Sequence, residues 1–406
     1  MELPNREKMV WRQVTKVFSL KKIFTFGLSS TEVYNFMIQQ YIKKAALLLV
    51  LLGFLGTTKA QNSAKPILEF DASWQYGYIL KHQQNVRHLA QSHPAGIQVG
   101  VFKRTTGEKG WESAYRYPKY GVVFQYLDYK NSILGESFAI VPMMKFNWMG
   151  KQKHQMEFKV GTGLVYFTNH WDLDNNPRNT MISYPLNFSM HFAWSYTYQF
   201  KPQWAVRLGT EFIHYSNAAF TLPNAGINVH TFAFGLQYTP QAQRETRKDS
   251  LAPFQRRWGM QTVLIGSAIE RVPEQGYKNP IFDLSAYLVR QASRKSIWMA
   301  GFEFSHNDMV REQMEIDYQN GVIPNKQDFR RLALVVGHDW VAGRISLLLQ
   351  VGVYIYRPYT LLDEPLYQRV ALRYRVTNRW FGQFGVKVHY GAAERTDIGI
   401  GYQLWK

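Results

Sequence analysis

Residues 185–199 read PLNFSMHFAWSYTYQ. Successive side chains of an extended chain point to opposite faces. Leu186, Phe188, Met190, Phe192, Trp194, Tyr196 and Tyr198 therefore share one face, and Asn187, Ser189, His191, Ala193, Ser195, Thr197 and Gln199 the other. The run is far longer than the roughly five or six residues of an ordinary soluble strand. A large apolar and aromatic face set against a small polar one, over this length, is the pattern of a strand with lipid outside and a polar lumen inside. Residues 380–390 repeat it, with Trp380, Phe384, Val386, Val388 and Tyr390 opposed to Gln383, Lys387 and His389.

Working outward, about sixteen such segments follow: 67–80, 94–104, 119–130, 134–146, 154–168, 185–199, 203–215, 227–239, 257–270, 281–291, 296–306, 329–340, 343–356, 366–376, 380–390 and 395–405. The fold class expected is all-β, a transmembrane antiparallel β-barrel. With the first strand running outward, the links 81–93, 169–184, 216–226, 307–328 and 357–365 are long and extracellular. The links 200–202, 292–295, 341–342 and 377–379 are short and periplasmic, the alternation barrels of this class show. Link 105–118 is a long exception on the periplasmic side and 131–133 a short one outside. Residues 240–256, PQAQRETRKDSLAPFQR, form one polar stretch, with a linker over 241–256 between halves 61–240 and 257–406. One sixteen-stranded barrel and two of eight strands both satisfy this pattern.

Composition narrows the chemistry. The chain has 406 residues and no cysteine, which excludes disulfides, thiolate metal sites and a thiol nucleophile. Its formal charge is +19, and +13 once residues 1–60 are set aside. No dense Lys/Arg block accompanies that excess, so anionic lipid is the expected partner and nucleic acid is not. Residues Ala45–Leu55, AALLLVLLGFL, follow Lys43-Lys44 and precede Thr58-Lys59-Ala60. The apolar run is too short for a membrane helix, which needs about 20 residues. It reads as a secretory signal ending at Ala60, with the true start expected at Met37. Export and a barrel together point to the outer membrane of a Gram-negative cell.

One constellation could carry chemistry. His214 and Ser216, two residues apart near the end of segment 203–215, share the face of Trp204, Val206, Leu208 and Phe212, whereas Arg207, Glu211 and Tyr215 take the other. Asn228 in the next segment alternates with Phe232, Phe234, Leu236 and Tyr238. All three polar residues are thus expected on the lipid face, where such groups are costly. A Ser beside a His, with a third polar group to orient the ring, is the general form of an activated acyl-transfer nucleophile. The plainer alternative is a pair of rim residues hydrogen-bonding to lipid head groups.

At these residues the chain resembles the lipid A 3-O-deacylase family of outer-membrane esterases. The match is H-x-S-N, here His214-Tyr215-Ser216-Asn217, followed by P-N-x-G, here Pro223-Asn224-Ala225-Gly226. It spans about 67–240, with weaker support from Gly161-Thr162-Gly163-Leu164. The resemblance implies that Ser216 is the nucleophile and His214 the general base. It also implies that Asn224 and a backbone N–H near Ala219 assist the oxyanion, with Asn217 of the motif grouped among the supporting residues. The chain departs from the family at Ala219, where Gly is usual, and at Asn228, where an acidic residue is usual. An Asn can fix an imidazole tautomer but adds no charge. The activity implied is hydrolysis of the 3-O-linked acyl chain of lipid A, the lipid anchor of lipopolysaccharide, with no cofactor and no metal. The rivals are a non-enzymatic channel or transporter and a phospholipase of the outer membrane.

Other features read more plainly. Gly301-Phe302-Glu303-Phe304-Ser305-His306-Asn307-Asp308 echoes residues 209–216, with Asp308 where Ser216 stands, and is taken as coincidence. His170, Asp172 and Asp174 are expected in a solvated loop rather than around a metal. Lys151, Lys153, Arg256, Arg257, Arg330 and Arg331 flank strands as interfacial charges, and Arg369, Arg373, Arg375 and Lys387 point into the lumen.

Overall fold

All sixteen alternating segments form strands. The computed structural model describes residues 67–151, 153–240, 253–362 and 364–406. The export segment expected over 1–60 and most of the expected linker lie outside those residues. In the first half the strands are β1 (Leu68–Ile79), β2 (Ala95–Arg104), β3 (Lys119–Asp128), β4 (Glu136–Lys151), β5 (His154–Phe167), β6 (Leu186–Gln199), β7 (Trp204–Ser216) and β8 (Ile227–Tyr238). In the second they are β9 (Arg257–Ile269), β10 (Asn279–Ser293), β11 (Ser296–Asn307), β12 (Arg331–Ala342), β13 (Ile345–Tyr356), β14 (Leu366–Arg375), β15 (Trp380–His389) and β16 (Ala392–Trp405).

The open question of barrel number is settled by strand pairing. Strand β8 returns to β1, with Phe234 opposite Trp74, and β16 returns to β9, with Ile398 opposite Gly266. Two closed eight-stranded barrels result, and neither keeps an edge of unpaired backbone groups.

The alternation seen in the sequence is the in-and-out of each wall. Phe234, Leu208, Leu264 and Phe302 are more than half exposed on the outside, while Lys145, Glu157, Arg369 and Asp397 are 2% exposed or less within. Inside the first barrel, Lys119 Nζ lies 2.6 Å from Glu69 and 2.7 Å from Glu157, and Lys145 Nζ lies 2.6 Å from Glu69 and 2.7 Å from Asp71. Inside the second, Arg369 bridges Asp283, Glu303 and Asp397, and Arg373 lies 2.8 Å from Asp339. Charges buried this deeply persist only when paired. An eight-stranded lumen is just wide enough for side chains to fill it. A hollow beside Lys159, Arg207 and Glu211 measures about 20 Å³, the space of a single water.

Two links differ from expectation because they contain helices. The long link 105–118, at the rim where β1 starts, holds α1 (Gly110–Ala114), and the link 307–328, at the end of β11 opposite its start, holds α2 (Asp308–Gln319). Helix α2 starts where the Asn307 side chain accepts from the N–H groups of Met309 and Val310, and it buries Val310 and Met314, one turn apart. Helix α1 explains why its link is long. Trp111 packs on Gly343 of the β12–β13 turn, where a Cβ would lie 2.8 Å from the indole nitrogen. The neighbouring Tyr115 ring lies 4.8 Å from Lys295 Nζ. Arg331 also departs from its expected place: it is 2% exposed and inside the second barrel, because its position in β12 has lumen parity.

Candidate active site

The end of β7 and the start of β8 form the walls of the site. Their register sets His214 directly opposite Asn228, and Phe188 of β6 directly opposite Ser216. Ile213 and Tyr215 on either side of His214 are fully buried in the lumen. Their burial fixes the parity of the strand and so turns His214 and Ser216 outward.

Asn228 Oδ1 lies 2.6 Å from Nδ1 of His214. An amide oxygen can only accept, so Nδ1 carries the ring proton and Nε2 presents its lone pair. Ser216 Oγ accepts from Asn224 Nδ2 at 2.8 Å and from the Ala218 N–H at 3.0 Å. No hydrogen bond joins Ser216 to His214 among the described residues. Such bonds are often formed only once substrate is bound.

The loop between the strands brings Asn224 back. Ala218 and Ala219 take φ of 48° and 61°, the left-handed region that side chains disfavour. Asn217 is 3% exposed and accepts from the Thr221 N–H at 3.3 Å while donating to Ser183 at 2.9 Å. It braces the loop and does not reach the serine. The backbone N–H that meets Ser216 is that of Ala218 and not that of Ala219, whose carbonyl accepts from the Glu270 N–H at 3.1 Å. Gly226, with φ of 75°, leaves no room for a side chain: a Cβ would lie 3.2 Å from Cε1 of His214. This is the physical content of the glycine in P-N-x-G.

Sequence reasoning missed three neighbours. These are Ala218, His82, whose Nε2 lies 3.0 Å from the Ala225 carbonyl, and Glu270. His82 and Glu270 come from links remote in sequence, and no local pattern marks them. The other candidates stay apart from the site. Asp172 Oδ1 accepts from the N–H groups of Asp174 and Asn175, a local turn, and no group suited to a metal occurs among the described residues.

Residues 95–237 match the lipid A 3-O-deacylase model, and residues 258–406 match that of the acyloxyacyl hydrolase C-terminal domain. Together the two matches cover more than two thirds of the chain.

The chain belongs to the lipid A 3-O-deacylase family.

Membership places this deacylase homologue among the outer-membrane hydrolases of Gram-negative bacteria that act on lipid A. No curated protein sequence matches it. Among solved structures it is similar to Neisserial surface protein A, at 8% identity over 42% of this chain and 96% of that one, with a TM-score of 0.30. It is also similar to the outer-membrane enzyme PagL, at 17% identity over 41% of this chain and 97% of that one, with a TM-score of 0.28.

Proposed function

We propose that the first barrel hydrolyses the 3-O-linked acyl ester of lipid A through Ser216, with His214 as general base and Asn228 orienting its ring. The observation that carries this reading is the 2.6 Å contact from Asn228 to Nδ1 of His214, on the lipid-facing side of the wall. It leaves Nε2 as the basic nitrogen on the face that Ser216 shares. In this scheme His214 takes the proton of Ser216 while Oγ attacks the ester carbonyl. The donors now on Oγ, Asn224 Nδ2 and the Ala218 N–H, pass in this scheme to the neighbouring carbonyl oxygen as it becomes negative, once Oγ has bonded to the carbonyl carbon. His214 returns the proton to the leaving 3-hydroxyl of the sugar. Water, deprotonated by the same ring, then releases a 3-hydroxy fatty acid and restores Ser216. Side chains and one backbone N–H supply every step.

The far rim, opposite the ends where β1 starts and β16 finishes, then faces the outside, where lipid A forms the outer leaflet. The channel reading is weaker because paired charges fill both lumens.

Mass spectrometry of lipid A from cells with and without the protein tests the reading. The wild-type chain should remove one 3-hydroxyacyl mass, and Ser216→Ala should lower the rate by several orders of magnitude. Phospholipid supplied as an alternative substrate should stay intact. Full activity in Ser216→Ala would sink the nucleophile assignment, and phospholipid cleavage would sink the substrate assignment.

A further inference from the structure

The second barrel touches the loop that carries the donors at Ser216. Glu270, one residue past the end of β9, is only 8% exposed. Its N–H donates to the Ala219 carbonyl at 3.1 Å, and its Oε2 accepts from the Leu222 N–H at 2.6 Å. Its Oε1 lies 2.5 Å from Nζ of Lys278. Lys278 Nζ in turn donates to Thr221 Oγ1 at 3.1 Å and lies 4.8 Å from the centre of the Phe220 ring. Four successive residues, 219 to 222, are thus each held by a group of the other barrel.

Those four residues lie between the two donors. Ala218 precedes them and Asn224 follows them, and both donate to Ser216 Oγ. The loop also needs outside support, because Ala218 and Ala219 sit in the left-handed backbone region that L side chains disfavour. A charged, nearly buried acceptor on the Leu222 N–H is the stronger kind of hydrogen bond. The wall beside the site is held too: the ring of Phe188, directly opposite Ser216, packs at a tilt on Phe384 of β15, with ring centres 4.6 Å apart.

We propose that Glu270 and Lys278 of the second barrel are positioning residues for the deacylation: they clamp residues 219–222 so that the Ala218 N–H and Asn224 stay aimed at the reacting oxygen. This rests on the reading of Ser216 as the nucleophile. It assigns to the second barrel a part in the reaction, in addition to its own place in the membrane.

The test uses the full-length chain in detergent, with purified lipid A and a lipophilic fluorophosphonate that labels reactive serines. Donors displaced by about an ångström cost up to a hundredfold in rate, so Glu270→Ala should lower kcat by about tenfold to a hundredfold. Uniform substrate binding is untouched, so KM should stay within roughly threefold of wild type. Labelling of Ser216 should slow in parallel. Glu270→Gln keeps an oxygen for the Leu222 N–H and should recover most of kcat. Lys278→Ala, which removes the bond to Thr221, provides a second variant if Glu270→Ala does not assemble. A contact that only glued the barrels together would change stability and leave kcat per folded molecule alone. Unchanged kcat in assembled Glu270→Ala or Lys278→Ala, a loss confined to KM, or a Gln variant no better than Ala would overturn the proposal. Ser216→Ala run beside them separates the two assignments. If it stays active the nucleophile reading falls and takes this one with it; if it is inactive while the clamp variants are fully active, only the clamp falls.

Discussion

Residues 209–214 on β7 and 301–306 on β11 carry the same G-x-E-F-x-H pattern, yet their surroundings differ. In both, the glutamate is buried in a lumen and the histidine three residues later, on the opposite face of the strand, lies outside. Glu211 accepts from Gln75 and Gln98 and contacts His191, and Glu303 is bridged to Arg369. That much is the alternation of a barrel wall. The difference lies in what surrounds the histidine. His214 faces Asn228 across the β7–β8 hairpin, and the loop after Ser216 folds back to set Asn224 on Oγ. His306 faces Phe282, packs on the Phe329 ring at 5.0 Å, and is followed by helix α2. The strands are also the seventh of one barrel and the third of the other, so the likeness is not that of equivalent positions. What sets His214 apart from His306 is an acceptor across the hairpin and a loop that returns to the neighbouring serine.

The comparison breaks most easily at the histidines themselves. His214→Ala should lower the release of 3-hydroxy fatty acid by several orders of magnitude, whereas His306→Ala should leave it within about twofold. Equal loss in both, measured on purified protein with lipid A, would mean that the β11 stretch is a second working site. A smaller effect is expected at the acceptor. Asn228→Ala should slow the reaction less than His214→Ala, because base and nucleophile remain. Asn228→Glu should keep or raise the rate, since a carboxylate fixes the same tautomer and also stabilises imidazolium where the effective dielectric is low. If Glu at 228 abolished turnover in an assembled barrel while Ala had no effect, the orienting residue would lie elsewhere. The smallest effect is expected in the loop that the β11 stretch lacks. Ala219→Gly relieves a left-handed alanine and keeps every N–H, so it should raise the stability of the first barrel by less than about 1 kcal/mol at unchanged kcat. Urea unfolding followed by tryptophan fluorescence would read this, and a clear destabilisation would show that the Ala219 side chain itself matters.

Most of the barrel wall was legible because strand parity is a local property. The sixteen segments, and the outward placement of His214, Ser216 and Asn228, follow from period-two alternation alone. Helix α2 was less legible: its cap at Asn307 and its apolar pair Val310 and Met314 are short signals within a polar link. Arg331 was misplaced because a charge at a strand end reads as interfacial unless its parity is counted from the middle of β12. Within the site, the sequence motifs pointed to Asn224 and to the neighbourhood of Ala219, but not to Ala218 as the donor. Which N–H meets Oγ depends on two left-handed residues that no composition rule marks.

By itself, then, the sequence determined which side chains face lipid and which face the lumen, and it set a serine, a histidine and an asparagine at one rim. Alternation along one strand and register across one hairpin suffice for that, since neither involves residues more than a few positions beyond a turn. Tertiary structure decided the number of barrels, because β8 can satisfy its free edge with either β9 or β1, and only closure selects β1. It also decided the pairing of the buried charges, and the seat of residues 219–222 on Glu270 and Lys278. Those contacts join groups far apart in the chain, for example 28 residues between Arg369 and Asp397 and 86 between Arg369 and Asp283. Their energies depend on the two walls being in place first, and no local pattern can encode that condition.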